Sequence, residues 1–294
     1  MLIPYQIITL STALVTQVTA FVLVYYLEPS DYGYYSLMFV VAQALYIFVG
    51  GWNNSLLLNF GTKEHTEKGY IKNVLYSRFI MLFFSMIFVL CLYPLFADYL
   101  KAFVGSDDFF DLILICFFSE VFFSFFSSAF YAKNKNMLQS VLNAFPKVAV
   151  LVYLIFFFSN IHKFVRFILY VNLMFFIISG VFYYFSERKY RFTIKLQDFN
   201  FYLKFGFFQI FSLAAAYVIN WGDNFTLGYF ETPVEKIGVY NLAYKVFLGF
   251  NVFFSLVNII LPKMIYEYKK NGDYELVRKM FIYRKWFAFL LAIG

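Results

Sequence analysis

The sequence predicts an all-α membrane protein, a polytopic helical bundle with a six-helix N-terminal lobe and the start of a second, repeat-related lobe. Long apolar stretches follow one another through the chain, each about 20 residues or more, enough to cross a hydrocarbon core of about 30 Å as a helix. Only 14% of the 294 residues are charged, whereas soluble domains carry about 25%. Basic residues concentrate in alternate loops, as in multi-pass membrane proteins.

Eight complete stretches are predicted to span the membrane: 6–27, 34–58, 74–97, 109–131, 139–159, 164–186, 202–230 and 237–262. A ninth begins near Trp286 and runs to the last residue, Gly294. Because backbone groups in lipid have no water to bond, each stretch is expected to be helical.

The spans are expected to form two units joined by a linker. Residues 1–186 form the N-terminal six-helix lobe, and 202–294 begin the C-terminal lobe with helices 7, 8 and part of 9. The linker 187–201 mixes basic and aromatic residues. It is either an amphipathic segment on the cytoplasmic membrane surface or an ordinary basic loop.

Charge predicts the orientation. Of the 24 Lys and Arg residues, eighteen lie in or beside the loops after even-numbered spans, four lie in the alternate loops and two lie inside spans. Loops rich in Lys and Arg stay in the cytoplasm, so the N-terminus and the loops 59–73, 132–138, 187–201 and 263–285 are predicted to be cytoplasmic. The net charge of +7 therefore does not indicate a nucleic-acid partner.

Two segments on the predicted outer side resemble each other. Residues 26–37 join spans 1 and 2, and residues 229–242 join spans 7 and 8. The matched pairs are Tyr26 with Tyr229, Glu28 with Glu231, Gly33 with Gly238, Tyr35 with Tyr240, and Leu37 with Leu242. The similarity is either chance in a Tyr- and Phe-rich chain or a parallel repeat of the kind found in alternating-access transporters. The glycines would permit tight turns or close helix approach.

Ionisable residues inside spans are costly and usually face a cavity or a partner. Glu120 and Lys147 lie about 16 and 12 Å from the cytoplasmic helix ends, at 1.5 Å per residue, so they can meet. Asp223 and Lys245 can meet nearer the outer side. Either each pair is a buried salt bridge between helices, or the lysines attract a diphosphate in a polar cavity while Glu120 and Asp223 serve coupling or gating.

Amide side chains in the spans are the remaining candidates for lining such a cavity. The substrate-binding candidates among them are Asn54, Asn143, Asn220 and Asn224. Amides suit sugar hydroxyls, but they also form hydrogen bonds between helices, which is the commoner role for any single one. His65 and His162 belong to no ligand cluster, so neither a metal nor another cofactor is predicted.

Several segments resemble the polysaccharide transporter, or O-antigen flippase (Wzx-type), family of the MOP (MATE-like) flippase superfamily. They are the pattern Leu-x-Pro-x-Asp-Tyr-Gly-x-Tyr at 27–35, Leu-Lys-Phe-Gly at 203–206, the segments 221–230 and 238–245, Leu-Pro at 261–262 and Gly-Asp at 272–273. The family usually has a cation after the aspartate, where this chain has Asn224. The resemblance is clearest over helices 1–2 and 7–8.

The resemblance implies a flippase that moves a polyprenyl-diphosphate-linked oligosaccharide, an O-antigen, capsule or exopolysaccharide unit, across the cytoplasmic membrane of a bacterium by alternating access. Expected partners are this lipid-linked substrate, membrane lipids, and the polysaccharide polymerase and chain-length machinery. No enzymatic activity is expected. Family members have two six-helix lobes, so the sequence is expected to be a C-terminal truncation.

Two other functions remain open. A MATE-like multidrug efflux transporter would favour an acidic cavity, whereas this chain places Lys147 and Lys245 inside spans. A membrane-embedded polysaccharide polymerase would need a catalytic constellation, commonly on a sizeable loop, and the outer loops here are short. No phosphate-binding loop pattern indicates ATP hydrolysis.

Overall fold

The computed structural model describes residues 4–133, 135–188, 190 and 196–246, together with Glu275, Arg278 and Ile282. Seven helices within these ranges are long and apolar enough to cross a membrane, and no strand occurs among the described residues. The chain is therefore an all-α, multi-pass membrane protein, as the sequence predicts. The end of the eighth predicted span and the whole ninth lie outside the described residues.

The helices follow the predicted order. They are α1 (Pro4–Tyr26), α2 (Pro29–Lys68), α3 (Lys72–Val104), α4 (Asp107–Ala132), α5 (Asn136–Phe157), α6 (Ile161–Glu187), α7 (Leu196–Tyr229) and α8, which begins at 234 and is described to 246.

Helices α2 and α3 extend beyond their predicted spans. Helix α2 continues to Lys68 through two π-helical turns, Ile47–Gly51 and Leu57–Gly61. Much of the predicted loop 59–73 is thus helical. Glu64 accepts a hydrogen bond from the backbone N–H of Val74 at 3.1 Å, which ties the end of α2 to the start of α3. Helix α3 runs from Lys72 to Val104, past the predicted end of its span at 97, with Pro94 inside it.

Helices α2 and α4 form the centre of the bundle. In each of them 56% of an 18-residue apolar segment is buried inside the bundle, compared with 6% in α1 and 17% in α3. Helix α4 packs against α2 and α6, and α1 packs against α5. Helix α7 packs against α2 and α3. The outer helices therefore present apolar side chains to lipid around a packed α2–α4–α6 core.

The bundle has a basic end, defined here by Lys68, Lys72, Lys133, Lys135 and Arg188, which lie where α2, α4 and α6 end and α3 and α5 begin. Lys133, which directly follows α4, forms a buried ion pair with Glu187 of α6 at this end. The other end is called the opposite end. That the basic end faces the cytoplasm stays a prediction.

Helices α2 and α8 touch at the opposite end through the two repeat glycines. A Cβ on Gly33 would lie 2.1 Å from the carbonyl oxygen of Val234, and one on Gly238 would lie 2.1 Å from that of Pro29. The contact is reciprocal, since Pro29 and Val234 each lie four residues before the glycine of their own helix. Reciprocal contacts are expected of repeats related by a two-fold axis.

Candidate functional site

A cavity of about 190 Å³ lies between seven helices, α1, α2 and α4–α8. Its charged and amide-bearing lining residues are Glu120, Lys147, Asn172, Asn241 and Lys245. Tyr35, Phe39 and Trp221 add aromatic surface to the same walls. The structure thus brings three of the eight predicted site residues together, Glu120, Lys147 and Lys245.

Lys147 lies eleven residues into α5, about 16 Å from the basic end. The buried Pro146 precedes it in the cavity wall. Proline has no N–H, so the Leu142 carbonyl one turn back lacks its helical donor and can bond elsewhere. The Lys147 ammonium lies 4.9 Å from the centre of the Phe123 ring, a cation–π distance.

Glu120 lies twelve residues from the end of α4, about 18 Å from the basic end and therefore at a depth close to that of Lys147. Gln43 of α2 lies close to its carboxylate, and Lys147 lines the same cavity. The described residues show no ion pair between Glu120 and Lys147. The two charges share the cavity without being locked to each other.

Lys245 of α8 also lines the cavity. Its ammonium lies 5.7 Å from the centre of the Trp221 ring, and it is close enough to Lys147 for the two charges to repel. The expected meeting of Lys245 with Asp223 is not found among the described contacts. Asp223 is exposed and accepts a 2.5 Å hydrogen bond from the hydroxyl of Tyr240.

Among the described lining residues, two ammonium groups and one carboxylate give this cavity an excess of positive charge. A low-dielectric wall strengthens the attraction of such a cavity for an anion. The volume of about 190 Å³ is below the range of about 300–1,000 Å³ typical of drug-sized ligands. In this conformation the cavity therefore suits a small anionic group better than a whole oligosaccharide.

The four predicted amides have different surroundings. Asn224 is 1% exposed and accepts a 2.6 Å hydrogen bond from Asn241, which lines the cavity. Asn143 donates to Ser127 at 3.2 Å. Asn220 is exposed and donates only along its own helix, to the Ala216 carbonyl at 2.7 Å. Of the four, Asn224 alone bonds directly to a residue of the cavity wall within the described network.

Asn54 belongs to a separate buried network around Arg78. The Arg78 guanidinium is fully buried and donates to Asn54 and, at 2.6 Å, to the Phe125 carbonyl. Asn54 also donates to the Tyr46 hydroxyl at 2.8 Å and accepts from Ser128 at 3.2 Å. The charge pattern placed Arg78 beside the loop 59–73, at the entrance of the span 74–97, whereas the structure buries it inside α3.

The amino-acid sequence of the chain matches a known protein family. A family model described as polysaccharide biosynthesis protein matches residues 3–264. The chain belongs to the polysaccharide biosynthesis protein family. The match includes the described helices α1–α8 and every predicted site residue. The charged cavity therefore belongs to the part of the chain that defines the family. Neither the curated proteins nor the solved structures gave a significant match to the chain.

Proposed function

We propose that this member of the polysaccharide biosynthesis family is a flippase, which moves a polyprenyl-diphosphate-linked oligosaccharide across a bacterial cytoplasmic membrane by alternating access. The observation that carries the proposal is the cavity that holds Lys147, Lys245 and Glu120, which come from α5, α8 and α4. A multi-pass protein in polysaccharide biosynthesis whose mid-membrane cavity is positively charged is suited to an anionic saccharide carrier. By the charge bias of the loops, the basic end lies in the cytoplasm.

In this proposal the diphosphate binds between the Lys147 and Lys245 ammonium groups. Glu120 balances part of their charge in the empty cavity and serves coupling or gating. Aromatic faces such as Trp221 and Phe39, which meet edge to face at 5.6 Å, suit the apolar faces of sugar rings. The oligosaccharide occupies space that opens when the lobes separate, and the polyprenyl tail stays in lipid.

Alternating access requires the contact between α2 and α8 to open and close. Rocking of one repeat against the other around a central site is the usual mechanism for proteins built from such repeats. In this conformation the Gly33–Val234 and Gly238–Pro29 contacts bring α2 and α8 close together at the opposite end. Separation of these contacts would admit the saccharide to the outer side, where polymerase and chain-length machinery could receive it unchanged.

Efflux of organic cations is the second candidate. Glu120 together with Trp221 and Phe39 could hold a cation, since carboxylates and aromatic faces attract positive charge. Lys147 and Lys245 line the same cavity and would repel that cation. The balance of charge therefore favours an anionic substrate.

Removal of the cavity's positive charge tests the proposal in cells. The double variant Lys147→Gln/Lys245→Gln should lower surface polysaccharide about tenfold or more, since loss of one ionic contact of about 1.4 kcal/mol already gives a tenfold effect. Lipid-linked units should accumulate in the cytoplasmic leaflet. Lys204→Gln is the matched control, because Lys204 is an exposed lysine of α7 outside the cavity. Membrane levels are measured for each variant.

A second experiment distinguishes substrate binding by Lys147 from a purely structural pairing of Lys147 with Glu120. If Lys147 only neutralises Glu120, the double variant Lys147→Gln/Glu120→Gln should recover the export that Lys147→Gln loses. Such recovery would defeat the substrate-binding role of Lys147. Undiminished export by the double lysine variant would equally contradict the flippase proposal as stated.

A further inference from the structure

A second cavity of about 320 Å³ lies on the surface of the bundle between α3 and α6, with α4 as its floor. Its walls include Tyr76 and Phe79 of α3, Phe126 of α4, and Gly180 and Tyr184 of α6. Tyr76, Phe79 and Tyr184 are 44, 50 and 65% exposed, so the walls are open on the side that faces lipid. This α3–α6 groove shares no lining residue with the central cavity.

The groove has a polar mouth and an apolar interior. Lys72 and Arg188 lie at its mouth, where α3 begins and α6 ends. Phe79 lies seven residues into α3, and Gly180 lies seven residues before the end of α6, so both are about 10 Å deeper. Phe126 lies six residues before the end of α4, at a similar depth. The lining residues thus change from charged to aromatic with depth, in the same order as a lipid changes from its headgroup to its acyl chains.

The charges at the mouth favour an anion. Lys72 donates to the Tyr190 carbonyl at 2.5 Å, which leaves two of its three ammonium hydrogens for another acceptor. Arg188 is exposed and lies 5.4 Å from the Phe185 ring. Neither cation forms an ion pair with a carboxylate of the described residues. Glu187, the one carboxylate among the described residues of the lining, is already paired with Lys133.

Gly180 keeps the interior of the groove open. A Cβ at this position would meet the Phe126 ring at 3.5 Å, an ordinary contact distance. A small side chain would therefore fit without displacing the floor. A larger side chain would occupy the space between the aromatic walls.

We propose that the α3–α6 groove binds an anionic phospholipid of the leaflet at the basic end. Lys72 and Arg188 hold the phosphate, and the first methylenes of an acyl chain lie along Phe79, Phe126 and Gly180. Basic groups at a membrane interface attract anionic lipids by about 1 kcal/mol each. The interior of the groove is mostly apolar, so it offers an acyl chain apolar contact and a sugar few hydrogen-bond partners.

Native mass spectrometry of the full-length protein with defined lipids tests this proposal. The wild type should retain phosphatidylglycerol in preference to phosphatidylcholine. Lys72→Gln/Arg188→Gln should weaken retention about thirtyfold, because each lost contact contributes about 1 kcal/mol and 1.4 kcal/mol is a factor of ten. Gly180→Leu should weaken retention without any change of charge. Lys204→Gln removes an exposed lysine outside the groove and should leave retention unchanged. Thermal melting of each variant verifies folding.

Four outcomes would overturn the proposal. The first is equal retention of both phospholipids, and the second is wild-type retention by the double variant or by Gly180→Leu. The third is binding of soluble glycerophosphoglycerol as strong as that of phosphatidylglycerol. The fourth is preferential retention of a polyprenyl diphosphate by the same residues. The measurement needs no transport, so it stands or fails independently of the flippase proposal.

Discussion

Arg78 illustrates how a single residue is accommodated inside the bundle. Its guanidinium is fully buried, and none of the described carboxylates forms an ion pair with it. It instead donates to the Phe125 carbonyl and to Asn54, and it lies 4.9 Å from the Phe125 ring. A buried charge is tolerated only with such partners. Asn54 therefore contributes to stability in this structure, whatever it does in transport.

Substitution of Asn54 tests this structural role. Asn54→Leu should lower the free energy of unfolding by about 2 kcal/mol, because a hydrogen bond to a charged group contributes about 1.5–3 kcal/mol. The measurement is denaturant unfolding in a fixed detergent. Asn220→Leu is the control, since Asn220 is exposed and bonds only to its own helix. Equal stabilities of the two variants would show that Asn54 does not support Arg78.

Depth along a helix could be predicted from the sequence, but the direction of each side chain could not. Counting residues put Glu120 and Lys147 at comparable depths, and both line the cavity with Lys245. The same counting paired Asp223 with Lys245. Adjacent residues differ by about 100° around a helix, and Asn224 is buried while Asp223 is exposed. Without the rotation of α7, the sequence could not distinguish them.

At the scale of helices, the contact between α2 and α8 depends on two glycines. The Cβ of any other residue at 33 or 238 would lie 2.1 Å from a carbonyl oxygen of the facing helix. The sequence matched these glycines but left open whether they permit a turn or a close approach. Neither has a positive φ in the described backbone, so close approach is what this structure uses.

Enlargement of Gly238 should open this contact. A disulfide between cysteines introduced at Ser30 and Glu235, which line one groove at this junction, reports the closed contact. Gly238→Ala should lower its yield about tenfold, because overpacking costs about 1–3 kcal/mol and 1.4 kcal/mol is a factor of ten.

Gly222→Ala is the matched control, since its Cβ would meet only Val218 at an ordinary 3.5 Å. An unchanged disulfide yield in Gly238→Ala would contradict the proposed closure. A fall in Gly222→Ala as large as that in Gly238→Ala would contradict it as well.

The presence and order of the helices could be predicted because the length of each apolar stretch can be read from the sequence. Their ends could not, since polar helix ends depend on local partners. Residues Thr62–Lys68 read as a charged loop, yet they form a helix in which Lys68 pairs with Glu64 at 3.7 Å. Helix α3 likewise runs on to Val104, beyond the predicted end of its span at 97.

At the scale of the whole molecule, the described helices α4, α5 and α8 place charged groups around one cavity. Hydropathy and charge bias predicted a multi-pass protein, and the family match connects it with polysaccharide biosynthesis. The lobe boundaries, the orientation in the membrane and the roles of the site residues stay predictions. The sequence did not predict the α3–α6 groove, because its lining comes from residues 72–79, 125–126 and 180–188, which are far apart in the chain.

Reconstitution of the full-length protein in sealed vesicles tests the flippase proposal most directly. A polyprenyl-diphosphate-linked oligosaccharide is placed in one leaflet, and a saccharide-binding probe outside reports its transfer to the other. The proposal predicts transfer of the chemically unchanged lipid that is faster than in protein-free vesicles and is lost in Lys147→Gln/Lys245→Gln. Retention of the substrate in its original leaflet, or its polymerisation by the protein, would contradict the proposal.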